Sequence, residues 1–265
     1  MRTALAISGS DPTGGAGLQL DLQVFRALGV HGAGVPTALT VQDTAKVHEV
    51  LPVFPSVVLN QLRRLLADFV PDAIKIGMLG SDDVLRSVAL GLEAVESRGA
   101  AIPPVVIDPV LAASDGQALL ERRAWGSLAS LIQRATLVTP NLPEAEALTR
   151  IDVSREAGVE EAARYLVEEL GAKAALVKGG HREGPADDLL AQRGPGGTTL
   201  EWLRGERIDA GRVHGTGCAL SSAIAAGLAL GDDLPGAVAR GREFVAAALR
   251  RAESVGQGAR LLVFP

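Results

Sequence analysis

The sequence predicts an α/β fold built around a buried, mostly parallel sheet, and three observations carry that expectation. Short apolar runs of strand length alternate with longer segments of helical periodicity almost from end to end. Aromatic residues are only 3% while Ala, Leu, Val and Gly dominate, which suits helices lying closely on a sheet covered on both faces rather than a β-sandwich. Of 265 residues, 47% are hydrophobic and 22% charged, enough to bury a sizeable core in one domain spanning residues 1–265.

Taken in order, residues 4–8 form the first expected strand, which runs through a glycine-rich turn into a helix over 17–28. A strand at 34–39 precedes a helix over 56–69, and a strand at 73–77 precedes a helix over 82–97. Strands at 105–108 and 137–139 follow, then a helix over 159–170 and a strand at 174–178. Beyond Lys178 the pattern changes to runs at 188–193 and 199–204 around Gly194-Pro195-Gly196-Gly197, the signature of an antiparallel hairpin at a sheet edge. Helices over 216–230 and 234–254 close the chain. In doubly wound sheets, ligands gather beyond the carboxyl ends of the strands, where the unusual residues of this chain lie.

Composition narrows the function classes. The net charge of -5 arises from interspersed acids and bases with no Lys/Arg block, so a nucleic-acid partner is not expected. Cys218 is the only cysteine, which precludes an intrachain disulfide and favours a reducing, cytoplasmic compartment. The longest small-apolar run, 219–230, is interrupted by Ser221, Ser222 and Gly227, and no membrane association is expected.

Several segments carry chemistry. His214-Gly215-Thr216-Gly217-Cys218 enters a helix of small residues, where backbone N–H groups at a helix start can hold an anion; the alternative is a plain glycine turn capped by Thr216. The same helix start would lower the Cys218 thiol pKa, although a small buried cysteine is more often packing. Ser8-Gly9-Ser10-Asp11 begins a loop without the GxGxxG spacing of dinucleotide folds, so Asp21 reads as a ligand-facing acid only if that loop lines a pocket. Asp108 ends a strand beside Pro109 and can hold Mg2+, mostly through water, or cap a turn. Asn141 and Glu144 either form a helix start with Pro143 or face a metal-phosphate site. Lys178 ends a strand, and Gly179 and Gly180 leave room for a phosphate. His214 reads as a neutral imidazole hydrogen-bonded within a turn.

Together, GSDPTGGAGLQLD, TALTVQDT, KIGML, VIDPVL, TPNLPEAEAL, VKGGH and HGTGCALSSAIAAGLALG resemble, in order, the hydroxymethylpyrimidine/phosphomethylpyrimidine kinases. The resemblance implies a three-layer αβα ribokinase-like fold with a mostly parallel sheet. It also implies phosphorylation of 4-amino-5-hydroxymethyl-2-methylpyrimidine and then of its monophosphate, with ATP and Mg2+, in a homodimer. By motif position it places Gly9, Asp21, Gln42, Met78 and Val110 at the pyrimidine, with Asp21 and Gln42 hydrogen-bonding its amino edge. Lys178, Thr139, Asn141 and the stretch 205–213 would serve ATP, and Asp108, with Asn141 and Glu144, would organise Mg2+. Gly215, Thr216, Gly217 and Cys218 would form the anion hole. Cys218 stands where related sugar kinases carry an aspartate base and is assigned mainly to that hole.

The chain departs from the family pattern at Asp43, where Asn is usual, and at Val213, where Thr is usual. Ala113-Ser114-Asp115-Gly116 replaces Ala-Lys-Ser-Gly, losing a lysine whose absence would weaken handling of a second phosphate, and Ala259-Arg260-Leu261-Leu262-Val263 replaces the usual Gly-Pro-Val-His ending. Two alternatives stand beside this reading: a pyridoxal/pyridoxine kinase on the same fold, and a catalytically silent nucleotide-binding relative.

Overall fold

The computed structural model describes residues 1–97, 99, 101–113, 116–180 and 186–264. Ser114, Asp115 and His181, which the sequence reading touches, lie outside the described residues.

Nine strands form one sheet: β1 (Thr3–Ser10), β2 (His31–Gln42), β3 (Val47–Pro52), β4 (Ala73–Ile76), β5 (Val105–Ile107), β6 (Leu137–Val138), β7 (Ala174–Val177), β8 (Asp188–Gly194) and β9 (Gly197–Leu203). Their order is β3-β2-β1-β4-β5-β6-β7-β8-β9. The six from β2 to β7 pair in parallel, and β3, β8 and β9 join antiparallel at the two edges. The mostly parallel α/β sheet read from the sequence is therefore the observed one.

Alternation along each strand builds two cores, one on each face. Leu5, Ile7, Ile74, Ile76, Val105 and Ile107 point to one face. There they meet α2 (Pro55–Asp68), α3 (Asp82–Glu96), α4 (Trp125–Ile132), α5 (Leu142–Thr149) and α6 (Glu156–Glu168). The opposite face presents smaller residues, Ala4, Ala6, Ala73 and Val106, to α1 (Gly17–Ala27), α7 (Thr216–Leu230) and α8 (Leu234–Arg250). Small side chains on both partners let the alanine-rich α7 settle close to the sheet, and ten of its residues are buried. Each Leu or Ile fully buried this way contributes ~1.5–3 kcal/mol.

The chain differs from the sequence reading in four elements. β2 runs on to Gln42 and turns through Asp43–Lys46 into β3; Asp43 Oδ1 accepts from the Ala45 and Lys46 N–H groups at 2.8 and 3.0 Å. β3 escapes periodicity because it is an edge strand with little buried surface. α4 escapes because it is short and its run WGSLASLI contains Gly and Ser. α8 stops at Arg250, short of 254, because Glu253 and Leu261 exchange backbone hydrogen bonds of 3.0 and 2.8 Å that fold the tail back.

The parallel strands deliver the functional candidates. Asp11 follows β1, Met78 follows β4, Asp108 follows β5, Thr139 follows β6 and Lys178 follows β7, all at carboxyl ends of the sheet.

Candidate active site

The start of α7 forms the floor. Gly215, not Thr216, occupies its N-cap, with φ 78°, and no side chain caps the first turn. A Cβ at Gly215 would lie 1.9 Å from the Gly15 carbonyl oxygen, so only glycine allows this loop to press against the 11–17 loop. Gly17, at φ 59°, plays the same part against the Gly9 carbonyl. The amides of Thr216, Gly217 and Cys218 thus open the helix at its partially positive end, the arrangement that holds an anion.

Lys178 and Asp108 converge on that helix start. Lys178 Nζ donates to Asp108 Oδ1 at 2.7 Å, and a Cβ at Gly217 would meet Lys178 Nζ at 3.0 Å and Asp108 Oδ2 at 3.8 Å. Burial works against the Lys178 charge, yet Asp108 and Glu144 hold its pKa above the usual lysine value. The glycine after it has another use than the one read from sequence: a Cβ at Gly179 would strike the Asp187 carbonyl at 1.8 Å, and Gly179 N–H donates to Asp188 Oδ1 at 2.9 Å. The room at Gly179 therefore admits the start of β8 rather than a phosphate.

Thr139 is fully buried, with its hydroxyl 3.4 Å from both the Ile107 carbonyl and Asp108 Oδ1. The hydroxyl thus lies against Asp108 at the carboxyl end of β6. Asn141 and Glu144 form a complete capping box on α5, with Glu144 N–H donating to Asn141 Oδ1 at 2.9 Å and Asn141 N–H to Glu144 Oε2 at 2.8 Å. Leu111 N–H also donates to Glu144, whose pKa burial pushes up to about 7 against the pull of Lys178. Of the two readings left open by sequence, the helix start is realised.

Among the described residues, no group of three His, Cys, Asp or Glu side chains is gathered as a metal cluster. Asp108 and Glu144 supply hard oxygens, but both already accept hydrogen bonds. The pair therefore fits a cation that keeps most of its own water and takes one or two carboxylates, the habit of Mg2+.

Cys218 sits beneath this site. Burial pushes its thiol up to about 12, with Asp108 and Asp21 adding to the rise and Lys75 and a Gly17 N–H hydrogen bond opposing it. This corrects the lowered value expected from the helix start; the residue is a neutral thiol at physiological pH.

The Asp21 carboxylate accepts from Lys75 Nζ at 2.7 and 2.8 Å and from Ser222 Oγ at 2.7 Å, in a wholly buried cluster. Burial works against the charge on Lys75, yet Asp21, Cys218 and Asp108 together raise its pKa. The signal available in sequence was a lysine inside the strand AIKI, whose other residues are all apolar. Among the described residues, Ser8 Oγ, beside Lys75, has no hydrogen-bond partner.

The remaining expected residues meet at a second, apolar wall. Met78 and Ala38 pack with Leu119 in a cluster that Val110 and Ala113 join. Gly9 backs onto it, since a Cβ there would lie 2.9 Å from Met78 Sδ. Gln42 ends β2 on the rim, 2.9 Å from His214 Nε2, and that ring nitrogen is 3.0 Å from Asp11 Oδ2. Asp11 also accepts from Thr13 N–H and Oγ1. These bonds hold its carboxyl below the usual range although burial opposes its charge. No sequence motif marks Asp11 for a role of its own, and from sequence His214 is expected only to bond within a turn.

A family model described as phosphomethylpyrimidine kinase matches residues 11–262. The chain is 39% identical over 255 residues to the hydroxymethylpyrimidine/phosphomethylpyrimidine kinase of Streptomyces coelicolor, covering 96% of this chain and 91% of that protein. It is 42% identical over 260 residues to the kinase of the same name from Rhizobium meliloti, covering 96% and 94%. Against the thiamine biosynthesis bifunctional protein ThiED of Geobacter sulfurreducens identity is 41%, and the chain spans 51% of that protein's length. Among solved structures, an ADP complex of Bacillus subtilis pyridoxal kinase superposes with a TM-score of 0.87 at 31% identity, covering all of this chain and 97% of that one. A phosphomethylpyrimidine kinase from Clostridium difficile does so with 0.80 at 33%, covering 94% and 100%.

Proposed function

Because this chain belongs to the phosphomethylpyrimidine kinase family and is a kinase of thiamine biosynthesis, we propose that it phosphorylates the hydroxymethyl group of 4-amino-5-hydroxymethyl-2-methylpyrimidine. The resulting monophosphate is its second substrate, and ATP is the donor in both steps. The observation that carries this reading is the meeting of Lys178, Asp108 and the uncapped start of α7 at one point beyond the strand ends. Phosphoryl transfer needs little covalent chemistry from the protein; it needs the donor held in line and the charge on the moving group met by fixed dipoles and cations.

In this mechanism the amides of Gly215, Thr216, Gly217 and Cys218 face the transferring phosphoryl oxygens, and Lys178 neutralises charge on the nucleotide phosphates. Asn141 shapes that side of the site by starting α5. Asp108 and Glu144 would hold Mg2+, which would supply further charge neutralisation. A neutral Cys218 is a poor base, so it serves the anion hole, and the alcohol proton passes late, in a loose transition state, to an oxygen of the transferring phosphoryl group. The flat ring lies on the wall of Gly9, Met78 and Val110, and Gln42 reads its edge.

A pyridoxal kinase activity is the second reading, favoured by the TM-score of 0.87 to a pyridoxal kinase. Specificity constants for the two pyrimidines and pyridoxal, read by product mass with ATP and Mg2+, separate the two. Preference for pyridoxal overturns the first reading; ATP binding without turnover of any of the three overturns both.

The partner is a second copy of the chain. Leu39 and Leu51 face each other across β2 and β3 at 52% and 47% exposure, and Phe54 beyond them is 78% exposed. An edge strand with an apolar face is stabilised by pairing. Light scattering should give about twice 27.3 kDa. A reducing cytoplasm accords with the single cysteine, and among the described residues no helix is long and apolar enough to cross a membrane.

A further inference from the structure

The contacts around Gln42 contain a contradiction of hydrogens. His214 Nε2 lies 3.0 Å from Asp11 Oδ2 and 2.9 Å from Gln42 Nε2. A carboxylate requires the ring nitrogen to carry a hydrogen, whereas an amide nitrogen, itself only a donor, requires it to carry none. Asp11 decides the matter. It is almost fully buried and ionised, it cannot donate, and a charged acceptor forms the stronger bond. His214 Nε2 therefore carries the hydrogen and shares it in a three-centre bond between Asp11 Oδ2 and the Gln42 atom facing it, which must then be an acceptor, the amide oxygen.

The other end of the side chain gives the same answer independently. Thr40 Oγ1 donates its one hydrogen to the Ser10 carbonyl at 2.9 Å and also lies 3.2 Å from the Gln42 atom placed as Oε1. With its hydrogen committed, Thr40 can only accept from Gln42, so the atom near it is the amide nitrogen. One half-turn of the amide satisfies both contacts, an exchange of oxygen and nitrogen that leaves every heavy-atom position unchanged.

We propose that Asp11–His214 on one side and Thr40 on the other lock the Gln42 amide in a single orientation, and that this lock sets which heterocycle edge the enzyme accepts. The inference rests on the reading of Gln42 as the ring-edge residue. After both contacts are made, the amide keeps one N–H and one oxygen lone pair unspent. That pair is complementary to a ring edge with an amino donor beside a ring-nitrogen acceptor. A 4-oxo ring with a protonated ring nitrogen offers the opposite order. An unrestrained glutamine would turn over and accept either edge; a held one leaves the wrong edge with two like groups opposed. His214 and Asp11 are thus positioning residues acting through Gln42, since neither is required to touch the ring.

The experiment compares kcat/KM for 4-amino-5-hydroxymethyl-2-methylpyrimidine with that for its 4-oxo counterpart in the wild type, His214→Phe, His214→Gln and Gln42→Ala. The wild type should prefer the amino ring by roughly a hundredfold or more. His214→Phe should lower that ratio at least about tenfold, chiefly through KM for the amino ring. His214→Gln, which restores a donor toward Gln42, should recover most of it. A ratio unchanged in His214→Phe but collapsed in Gln42→Ala overturns the lock while leaving Gln42 as the reader. A ratio unchanged in both overturns the reading of Gln42 and the lock with it. Should His214→Phe fail to fold, Thr40→Val removes the opposite restraint; the lock requires the ratio to fall there too, and an intact ratio overturns it.

Discussion

Lys75 Nζ stands 2.8 and 2.7 Å from the two carboxylate oxygens of Asp21, and neither side chain has any exposed surface. Removing one member of such a pair strands the other charge in a medium that cannot solvate it. Asp21→Ala should therefore lower stability by ~3–5 kcal/mol in urea unfolding. The folded fraction should keep its KM for the pyrimidine within about twofold, the size of effect that separates a buried structural pair from a ring contact. A large rise in KM with undisturbed stability would restore Asp21 to the substrate.

The neutral state of Cys218 leads to a second expectation. With its thiol pushed up to about 12, the thiolate fraction at pH 8 is on the order of a thousandfold below that of an ordinary cysteine. Alkylation by iodoacetamide should be slowed to match, and the pH-rate profile should show no limb near the usual cysteine value. Cys218→Ala should lower kcat by about tenfold while leaving pyrimidine KM nearly unchanged, as expected for a group that meets only the transferring phosphoryl.

The sheet is legible in the sequence because its central strands are buried on both faces and read as short apolar runs closed by polar residues: Asp108 after β5 and Lys178 after β7 mark their own ends. β3 is not, because an edge strand with exposed residues lacks that contrast. The site is legible in its residues more than in their partners. Asp21 and Lys75 lie 54 positions apart and His214 and Asp11 lie 203 apart, and local periodicity carries no information on pairs brought together only by folding. The Cys218 thiol went the other way for the same reason: the helix start is visible in HGTGC, whereas the burial and the carboxylates that outweigh it come from β5 and α1.

Glu144 gives a pH dependence of stability. Its folded value of about 7 lies above the ordinary 4.5, so between those values the native protein holds a proton that the unfolded chain has released. The stabilisation is complete below pH 4.5 and is lost as pH rises through 7, amounting to up to about 3 kcal/mol. Unfolding midpoints of the wild type should fall across that window relative to Glu144→Gln, which keeps the capping box but does not titrate. Parallel curves would mean that Glu144 is ionised throughout.

Lys178→Met tests the cation at the phosphate site. The ammonium is the partner of Asp108 Oδ1 at 2.7 Å and the charge that most restrains Glu144 from protonation. Losing it should raise KM for ATP at least about tenfold, since a charge-assisted contact contributes roughly 1.5–3 kcal/mol. It should also push the Glu144 transition to higher pH, a shift that a purely nucleotide-binding lysine would not produce. Asp108→Asn should weaken ATP turnover while lowering, not raising, the Glu144 transition, because it removes a neighbouring negative charge. Opposite movements of one titration in the two variants, followed by the pH dependence of unfolding, would establish that Lys178, Asp108 and Glu144 form one electrostatic unit. A transition that stays put in both would separate Glu144 from the phosphate site.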